Sequence, residues 1–195
     1  MSLTWYNKLS AEIDTLLSQV GSSRAIYDYP WTNRTWTSKL FRSAHLQEFI
    51  TPKVSIVHCV IMPHTNTDSP IYGFDVIEIN GNFTGMFLDV TPTVGNRTVS
   101  IPQVGTPRPL PDWAHFFSDQ FVCSTPSADD IHAGVTVLQD YISILPGNKA
   151  NSVLAQQHYV ECQRANPQTF RMLQSNIGKE RAHDFVHNLL FPDVI

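Results

Sequence analysis

The chain has 195 residues, of which 42% are hydrophobic and 15% charged, a composition typical of a folded globular protein. Its formal net charge of −4 argues against a nucleic-acid-binding protein, because such proteins carry a basic excess or stripe. No apolar run is long enough to span a membrane, and acidic residues interrupt the N-terminal segment where a secretory signal needs an apolar stretch. We therefore expect a cytoplasmic protein with a single domain over residues 1–195, and nothing demands more than a monomer.

The N-terminal third predicts one helix followed by the start of a sheet. Apolar residues recur at helical spacing over residues 2–20, and Gly21 is placed to end this helix. The next stretch is rich in aromatic residues, Thr and Arg, and we predict a strand over residues 35–43. The sequence allows more than one arrangement of the following segment, HLQEFITP. In one of them this segment continues the strand after a bend.

The segment from Val54 to Pro92 predicts three consecutive core strands of apolar and β-branched residues. Asn80-Gly81 separates the second from the third and indicates a type I′ hairpin, because both positions of that turn require a positive φ. The side chains on both faces of the second strand are apolar, so helices should cover the sheet on both sides.

The remainder of the chain predicts a long irregular segment and then helices. Residues 93–112 are dense in Pro, Gly and Thr. Ser127 is a suitable N-cap for a helix to about Leu145, and three further helices are predicted over residues 152–164, 167–178 and 179–191. The order of helix, strands and helices predicts an α+β fold with a largely antiparallel central sheet.

Two ionisable residues interrupt the core strands and form the strongest chemical signal. His58 lies within VSIVHCVIM, and Asp75 lies within IYGFDVIEI. A mid-strand carboxyl between apolar neighbours should be desolvated, with a raised pKa unless a cation or hydrogen bonds compensate. Such a group is a candidate general acid, and a histidine on the adjacent strand can share its proton as a coupled pair. For His58 alone, a core histidine bonded to a backbone carbonyl remains the alternative.

Other common chemistries lack their signatures. The histidine pair His183 and His187 is one helical turn apart but has no third ligand, so we predict no metal site. The three cysteines are odd in number and widely separated, which indicates reduced thiols. Because nicotinamide, P-loop and iron–sulfur motifs are also missing from the sequence, electrons for a redox reaction would have to come from a separate protein.

Several blocks of the sequence resemble one enzyme family. They are His58-Cys-Val-Ile-Met-Pro, Pro70-Ile-Tyr-Gly-Phe-Asp75, Asp89-Val-Thr-Pro92, Leu110-Pro-Asp-Trp113, Phe117-Ser118 and a C-terminal pattern from His158 to Phe191. Together they are similar to the ferredoxin-dependent bilin reductases, with the greatest likeness to the phycocyanobilin-forming branch and its compact phage-associated relatives that form phycoerythrobilin. The resemblance runs from about Phe41 to the end.

The resemblance implies a three-layer α/β/α sandwich in which biliverdin IXα lies between the sheet and the C-terminal helices. Electrons arrive singly from reduced ferredoxin, which is a transient partner. No metal or flavin is bound in the enzyme, and the bilin passes through radical intermediates. Asp75 matches the central proton donor, and His58 matches the histidine that shares the proton. For substrate binding, Arg108 matches a propionate partner, Thr84 replaces a substrate-contacting serine, and Asn166 matches an asparagine near the bilin.

One departure from the family pattern bears on the product. In the phycocyanobilin-forming enzymes, which this chain resembles, a His-Leu-Glu segment carries a glutamate that assists reduction of the D-ring vinyl group. The matching segment here is His45-Leu46-Gln47, followed by Glu48. Glutamine can form hydrogen bonds to the substrate but cannot act as an acid. A one-residue shift of the strand register that gave Glu48 the role of that glutamate would turn the side chain to the other face of the strand. The resemblance therefore favours four-electron reduction to phycoerythrobilin, with phycocyanobilin as the alternative product. A non-catalytic bilin-binding protein and an unrelated α+β protein remain further alternatives.

Overall fold

A single antiparallel sheet of eight strands forms the centre of the computed structural model, which describes residues 4–195. The strands lie in the order β1-β2-β3-β4-β5-β6-β8-β7, so the first six follow chain order. Their bounds are β1 Ser22–Ile26, β2 Thr32–Thr37, β3 Phe41–Ile50, β4 Val54–Pro63, β5 Ile71–Ile79, β6 Asn82–Thr91, β7 Thr106–Pro107 and β8 Val122–Thr125.

Helices cover both faces of the sheet and give the three layers of an α/β/α sandwich. On one face lie the helices α1 (Trp5–Val20) and α2 (Ala133–Ser143), which enclose a core with the inward side chains of the central strands. On the other face lie α3 (Val153–Arg164), α4 (Pro167–Ile177), α5 (Lys179–Asp184) and the π-helix Phe185–Leu190 that continues α5. The predicted α+β class with a central antiparallel sheet is confirmed.

The three predicted core strands are β4, β5 and β6, and they pair as expected. Asn80 and Gly81 both have positive φ, at 51° and 79°, so the chain reverses between β5 and β6 as the dipeptide predicts. The register between β5 and β6 shifts at a β-bulge between Ile77 and Glu78, just before this turn. The side chains of β5 alternate between the two cores, because successive residues of a strand point to opposite faces.

The predicted strand over residues 35–43 is wrong. That stretch contains the end of β2 and the start of β3, joined by a tight turn in which the Ser38 N–H donates to the Phe41 carbonyl at 3.2 Å. The Ser38 hydroxyl also accepts from the Leu40 N–H at 3.1 Å. The Ser38 side chain therefore stabilises a turn of a kind that usually contains glycine or asparagine. Because neither residue is present here, the sequence does not indicate the turn.

Three further boundaries differ from the predictions. The first helix begins at Trp5, because Thr4 before it is extended; residues 2 and 3 of the predicted span lie outside the described residues. Gly21 has φ −147°, so its backbone is extended rather than left-handed. A Cβ there would lie 2.9 Å from the Thr37 carbonyl oxygen, so glycine is needed because it lets the chain approach β2 closely. The helix predicted from Ser127 starts at Ala133, after a short 3₁₀ turn in which the Asp130 carboxylate accepts from the Ser127 N–H and hydroxyl.

The described helices include none that is both long and apolar enough to cross a membrane. The cysteines Cys59, Cys123 and Cys162 are all free thiols, as their spacing predicts.

Candidate active site

A row of four side chains crosses the centre of the sheet on the face covered by the C-terminal helices. Gln47 of β3 pairs with His58 of β4, which pairs with Asp75 of β5, which in turn pairs with Phe87 of β6. Directly opposed residues on neighbouring antiparallel strands have their Cβ atoms about 4.5–5.5 Å apart. The register alone therefore brings these side chains into contact, although the residues come from separate parts of the chain.

His58 and Asp75 form a hydrogen-bonded pair within this row. Nδ1 of His58 lies 2.8 Å from Oδ1 of Asp75, a distance at which the two groups share one proton. The His58 side chain is 14% exposed and Asp75 is 34% exposed. Asp75 is thus less desolvated than its sequence context predicts, because the helices leave the sheet open in front of it. The second ring nitrogen of His58, Nε2, is buried without a hydrogen-bond partner in the described structure.

An apolar cleft opens in front of this pair; the space between its walls, including the part open to solvent, is about 860 Å³. The sheet forms its floor and the C-terminal helices its roof, and seven of its sixteen lining residues are polar. They are Gln47, His58, Asp75, Gln163, Asn166, Gln168 and Thr169, among the apolar side chains Ile56, Ile77, Phe87, Trp113, Phe117, Met172, Leu173, Leu190 and Phe191.

Position 47, rather than position 48, faces the cleft. Gln47 is only 3% exposed and lines the cleft beside its strand partner His58. Glu48 points to the opposite face, where it lies near Ser10, Asp14 and Arg34, and where burial raises the pKa of its carboxyl. Because neighbouring residues of a strand face opposite ways, a slip that brings Glu48 to the cleft would reverse every side chain of β3.

Asn166 lies at the edge of the cleft and caps the helix that roofs it. Its side-chain oxygen accepts from the Gln168 N–H at 3.0 Å, and Pro167 occupies the first helical position, a combination typical of a helix start. The cap engages the oxygen of the Asn166 amide, so the amide nitrogen remains available to donate to a bound molecule.

Arg108 and Thr84 lie beside the cleft rather than within its lining. Nη1 of Arg108 donates to the Thr84 carbonyl at 2.5 Å, and a Cβ on Gly85 would lie 3.2 Å from that nitrogen. The guanidinium therefore lies over Gly85 and is exposed to solvent. The Thr84 hydroxyl donates to the Ile77 carbonyl at 3.4 Å across the β-bulge, so a substrate contact by this hydroxyl remains a prediction.

A second histidine, His45, is buried two residues before Gln47 on the same strand face. Its Nε2 lies 3.1 Å from the Asn33 side-chain oxygen, and its ring centroid is 5.9 Å from that of His58. Burial, and then the proximity of His58, lower the pKa of His45 well below its ordinary value. His45 is therefore neutral near pH 7.

An aromatic wall closes one side of the cleft, and a buried carboxylate holds it. Phe117 stacks on Phe121 with ring centroids 4.2 Å apart and packs edge-on against Trp113. Asp89 accepts from the Ser118 hydroxyl, from the Ser118 N–H at 3.1 Å and from the Thr91 hydroxyl at 2.5 Å. Because Ser118 directly follows Phe117, Asp89 fixes the aromatic segment to the sheet.

We predict that Asp89→Asn lowers the free energy of unfolding by about 1–3 kcal/mol, because an amide has one acceptor oxygen for three donors. Burial raises the pKa of Asp89 more than its hydrogen bonds lower it, so the folded protein binds this proton more tightly than the unfolded chain. The contribution of Asp89 is then fully present below the ordinary carboxyl pKa of about 4 and is lost as pH rises through the raised value. Urea unfolding of both proteins across this range measures the deficit, which should shrink with rising pH; a deficit that grows would contradict the raised pKa.

Several cleft residues have no signal of their own in the sequence. Gln163 and Gln168 project from two different helices, and Leu190 lies on the π-helix; amphipathic spacing places them on inward faces but does not identify a ligand site. Trp113 and Phe117 belong to blocks that carry the family resemblance, which marks them without assigning a role. Within residues 4–195 no three His, Cys, Asp or Glu side chains are grouped so that they could hold a metal ion.

Comparison with known proteins identifies the family. A family model described as ferredoxin-dependent bilin reductase matches residues 6–192, nearly the whole chain. The chain belongs to this family. As a ferredoxin-dependent bilin reductase it is an oxidoreductase that acts on an open-chain tetrapyrrole.

Curated relatives carry the name of one branch of the family. Phycocyanobilin:ferredoxin oxidoreductase of Trichodesmium erythraeum (strain IMS101) is 27% identical over 185 residues, which cover 82% of this chain and 75% of that protein. The enzyme of the same name from Prochlorococcus marinus (strain MIT 9515) is 24% identical over 209 residues, which cover 95% of this chain and 86% of that protein.

Solved structures share the fold of this reductase. A protein named PcyX matches with a TM-score of 0.68 at 24% identity, over 97% of this chain and 99% of that one. Phytochromobilin synthase from tomato, solved in complex with biliverdin, also has a TM-score of 0.68, at 14% identity over 95% of this chain and 80% of that one. The arrangement of layers around the sheet is therefore the arrangement found in these proteins.

Proposed function

We propose that this reductase converts biliverdin IXα into phycoerythrobilin by a four-electron reduction, with single electrons supplied by reduced ferredoxin. The observation that carries the proposal is the His58–Asp75 pair, which faces a mainly apolar cleft in a member of the bilin reductase family. Electrons that arrive singly make radical forms of the bilin the expected intermediates. In this proposal the enzyme binds no metal or flavin and works as a cytoplasmic monomer of one domain.

Asp75 is the proposed proton donor to the bilin. Its carboxyl faces the cleft and lies within hydrogen-bond distance of His58 on the other side, so a proton given to the substrate is replaced from the imidazole. Each pair of electrons delivered by ferredoxin then requires two protons, which pass through Asp75.

The remaining polar groups are proposed to bind the bilin. Asn166 offers its amide nitrogen, and Gln47 offers a side-chain amide beside His58. Thr84 is the proposed replacement for a serine contact. Arg108 is proposed to pair with a propionate, because a guanidinium fork matches a carboxylate with two parallel hydrogen bonds. Its position over Gly85 places the cation beside the cleft and within reach of solvent.

We predict that Arg108→Gln weakens biliverdin binding about tenfold to a hundredfold, because a hydrogen bond to a charged group contributes about 1.5–3 kcal/mol. Fluorescence quenching or absorbance titration measures the Kd directly. Arg108→Lys should recover only part of the affinity, since a point charge cannot form the parallel pair of bonds.

Arg24→Gln is the matched control for this prediction. It makes the same chemical change on the exposed side chain of edge strand β1, well separated from the cleft in the sheet order. Equal affinities for the Arg108 and Arg24 variants would remove Arg108 from the proposed binding site.

Phycocyanobilin is the second candidate product, favoured by the names of the curated relatives. Against it stands Gln47, which occupies the cleft position beside His58 where the phycocyanobilin-forming pattern has a glutamate. An amide at that position cannot supply the proton for vinyl reduction, and the only carboxyl next to it in sequence, Glu48, lies on the opposite face.

Anaerobic turnover of biliverdin with reduced ferredoxin, followed by chromatography against authentic phycobilins, tests the proposal. We expect a blue-green complex on binding, loss of its absorbance on reduction, and phycoerythrobilin as the final bilin. Phycocyanobilin as the sole product would replace the proposed product by the second candidate. Tight binding with an unchanged spectrum under competent reducing conditions would instead identify a bilin-binding protein without reductase activity.

A further inference from the structure

The row of side chains on the cleft floor is enclosed at one end and more open toward the other. Gln47 is 3% exposed, the His58 side chain 14% and the Asp75 side chain 34%, so exposure rises from β3 toward β5. The enclosed end is covered by residues 179–191, here called the roof segment, which comprise α5, the π-helix and Phe191. Phe191 lines the cleft and packs edge-on to the His58 ring, with centroids 6.5 Å apart. A flat ligand that reaches Gln47 must therefore pass under the roof segment.

The β1–β2 loop, residues 27–31, holds the roof segment through aromatic packing. Phe185, the first residue of the π-helix, is fully buried. Tyr29 and Trp31 pack edge-on against its ring, with centroids 4.5 and 5.3 Å away. Trp31 also packs edge-on against Phe49 of β3, at 5.0 Å. The loop therefore joins the roof segment to the strand at the enclosed end of the row.

Polar contacts between this loop and α5 surround the aromatic packing. The Tyr29 hydroxyl donates to Asp184 Oδ2 at 2.8 Å, and Oδ1 of the same carboxylate accepts from the Asn188 amide at 2.6 Å. Arg181 donates to the Asp28 carbonyl, and its guanidinium carbon lies 5.4 Å from the centroid of the Tyr29 ring. Both Arg181 and Asp184 are exposed to solvent. Because water competes for exposed polar groups, each of these contacts adds only a modest stabilisation.

The two ends of the roof segment are held differently. At its last residue, Nε and Nη2 of Arg164 donate to the Phe191 carbonyl at 3.0 and 2.7 Å, and the Arg164 side chain is only 18% exposed. Before its first residue lies Gly178, whose φ of 81° is readily adopted only by glycine and separates α5 from α4. The α5 end is thus the end at which the segment is more easily displaced from the sheet.

We propose that the β1–β2 loop is the latch of a gate for the bilin, and that Tyr29 and Arg181 set how often this gate opens. In the open state the α5 end of the roof segment moves away from the loop, uncovers the Gln47 end of the row, and lets biliverdin enter or the product leave. Opening is rare because it separates buried aromatic side chains, so the loss of one polar contact raises the open fraction and leaves the closed state dominant. The inference rests on the proposed function, in that biliverdin occupies this cleft.

Stopped-flow absorbance with biliverdin IXα, in the absence of ferredoxin, tests the gate in Tyr29→Phe. This variant keeps the ring that packs on Phe185 and loses only the hydroxyl that donates to Asp184. If the bilin must pass an opening gate, the rate constants of association and dissociation should both rise about threefold to tenfold, the range for the loss of one hydrogen bond. The Kd should change less than about twofold, because the closed state stays dominant in the free and in the bound protein.

Tyr27→Phe is the matched control for these rates. It makes the same chemical change in the same loop on a side chain that is 88% exposed, and it should bind and release biliverdin like the wild type. Arg181→Gln removes the second contact to the loop and should raise both rate constants as Tyr29→Phe does. Wild-type rates in either variant would overturn the gate. A rise in the dissociation rate alone would show a weakened binding contact in place of a gate, and would overturn it as well.

Amide hydrogen exchange of the protein without bilin tests the opening itself. Residues 185–191 should exchange about threefold to tenfold faster in Tyr29→Phe, while α2, on the opposite face of the sheet, should exchange as in the wild type. Unchanged exchange in the roof segment would overturn the latch, and faster exchange with wild-type bilin rates would overturn its role as a gate. Failure of the proposed function is distinguishable, since a wild-type protein that binds biliverdin but forms no phycoerythrobilin refutes that function and leaves the comparison of binding rates intact.

Discussion

Asp75→Asn should bind biliverdin as the wild type does and reduce it about 10²–10⁴-fold more slowly, the usual range for loss of a general acid. Asparagine has nearly the same volume and still carries an oxygen that accepts from His58, so the row across the sheet is preserved. It has no acidic proton to give. Electron transfer from ferredoxin is not blocked by this change, and the reaction should therefore stop after the first electron, with a bilin radical that outlives the wild-type intermediate.

Two measurements check this result. Absorbance titration gives the Kd for biliverdin, and anaerobic turnover with electron paramagnetic resonance detects the radical and its lifetime. Asp140→Asn provides the matched control, because it makes the same change on an exposed residue of α2, on the opposite face of the sheet. Full activity in Asp75→Asn would remove Asp75 from the role of proton donor, whereas loss of binding would assign it to substrate recognition instead.

The part of the site formed by the sheet is predictable from the sequence because strand periodicity is strict. Alternation places Asp75 and His58 on defined faces. The Asn80-Gly81 turn starts the register between β5 and β6, and the β-bulge between Ile77 and Glu78 shifts it by one residue, so that Asp75 pairs with Phe87. The pairing of His58 with Asp75 depends in addition on the register between β4 and β5, which alternation alone does not set. The same periodicity separates Gln47 from Glu48, which lie on opposite faces of β3.

The roof of the cleft is not predictable in this way. The helices that bear Asn166 and Phe191 pack on the sheet through contacts far apart in sequence, and helical spacing alone does not indicate how much of the sheet they leave open in front of Asp75. That opening is why Asp75 is more exposed than its apolar neighbours suggest. The change to a π-helix at Phe185 cannot be predicted from the sequence either. Over six residues, the side-chain spacing does not distinguish backbone hydrogen bonds that reach five residues back, as in a π-helix, from those that reach four residues back, as in an α-helix.

Gln47→Glu is the change with the largest expected effect on the product. It places a carboxyl directly beside His58, at the position that the register pairs with the imidazole. A carboxyl that is almost fully buried has a raised pKa unless a cation compensates, so it carries a proton near neutral pH and can act as a second acid at the cleft. We expect the product to shift from the proposed phycoerythrobilin toward phycocyanobilin, because the phycocyanobilin-forming pattern that this chain resembles has a glutamate here that assists reduction of the D-ring vinyl group.

The substitution also has a cost in stability. A buried carboxyl that lacks partners destabilises the fold by about 1–3 kcal/mol, so the thermal midpoint of Gln47→Glu should fall. Thermal unfolding followed by circular dichroism shows whether the variant is folded at the assay temperature. Bound biliverdin should restore part of this loss, since a ligand that binds only the folded protein raises its stability.

The adjacent residue provides a stringent control for the product shift. Glu48→Gln alone removes a carboxyl from the opposite face of β3 and should leave the product unchanged. The double variant Gln47→Glu, Glu48→Gln has the composition and net charge of the wild type, and it differs only in which face of the strand carries the carboxyl. Chromatography of the bilins from all four proteins therefore isolates the position of one acidic group. An identical product from folded, active wild-type and double-variant proteins would show that position 47 does not select the pigment.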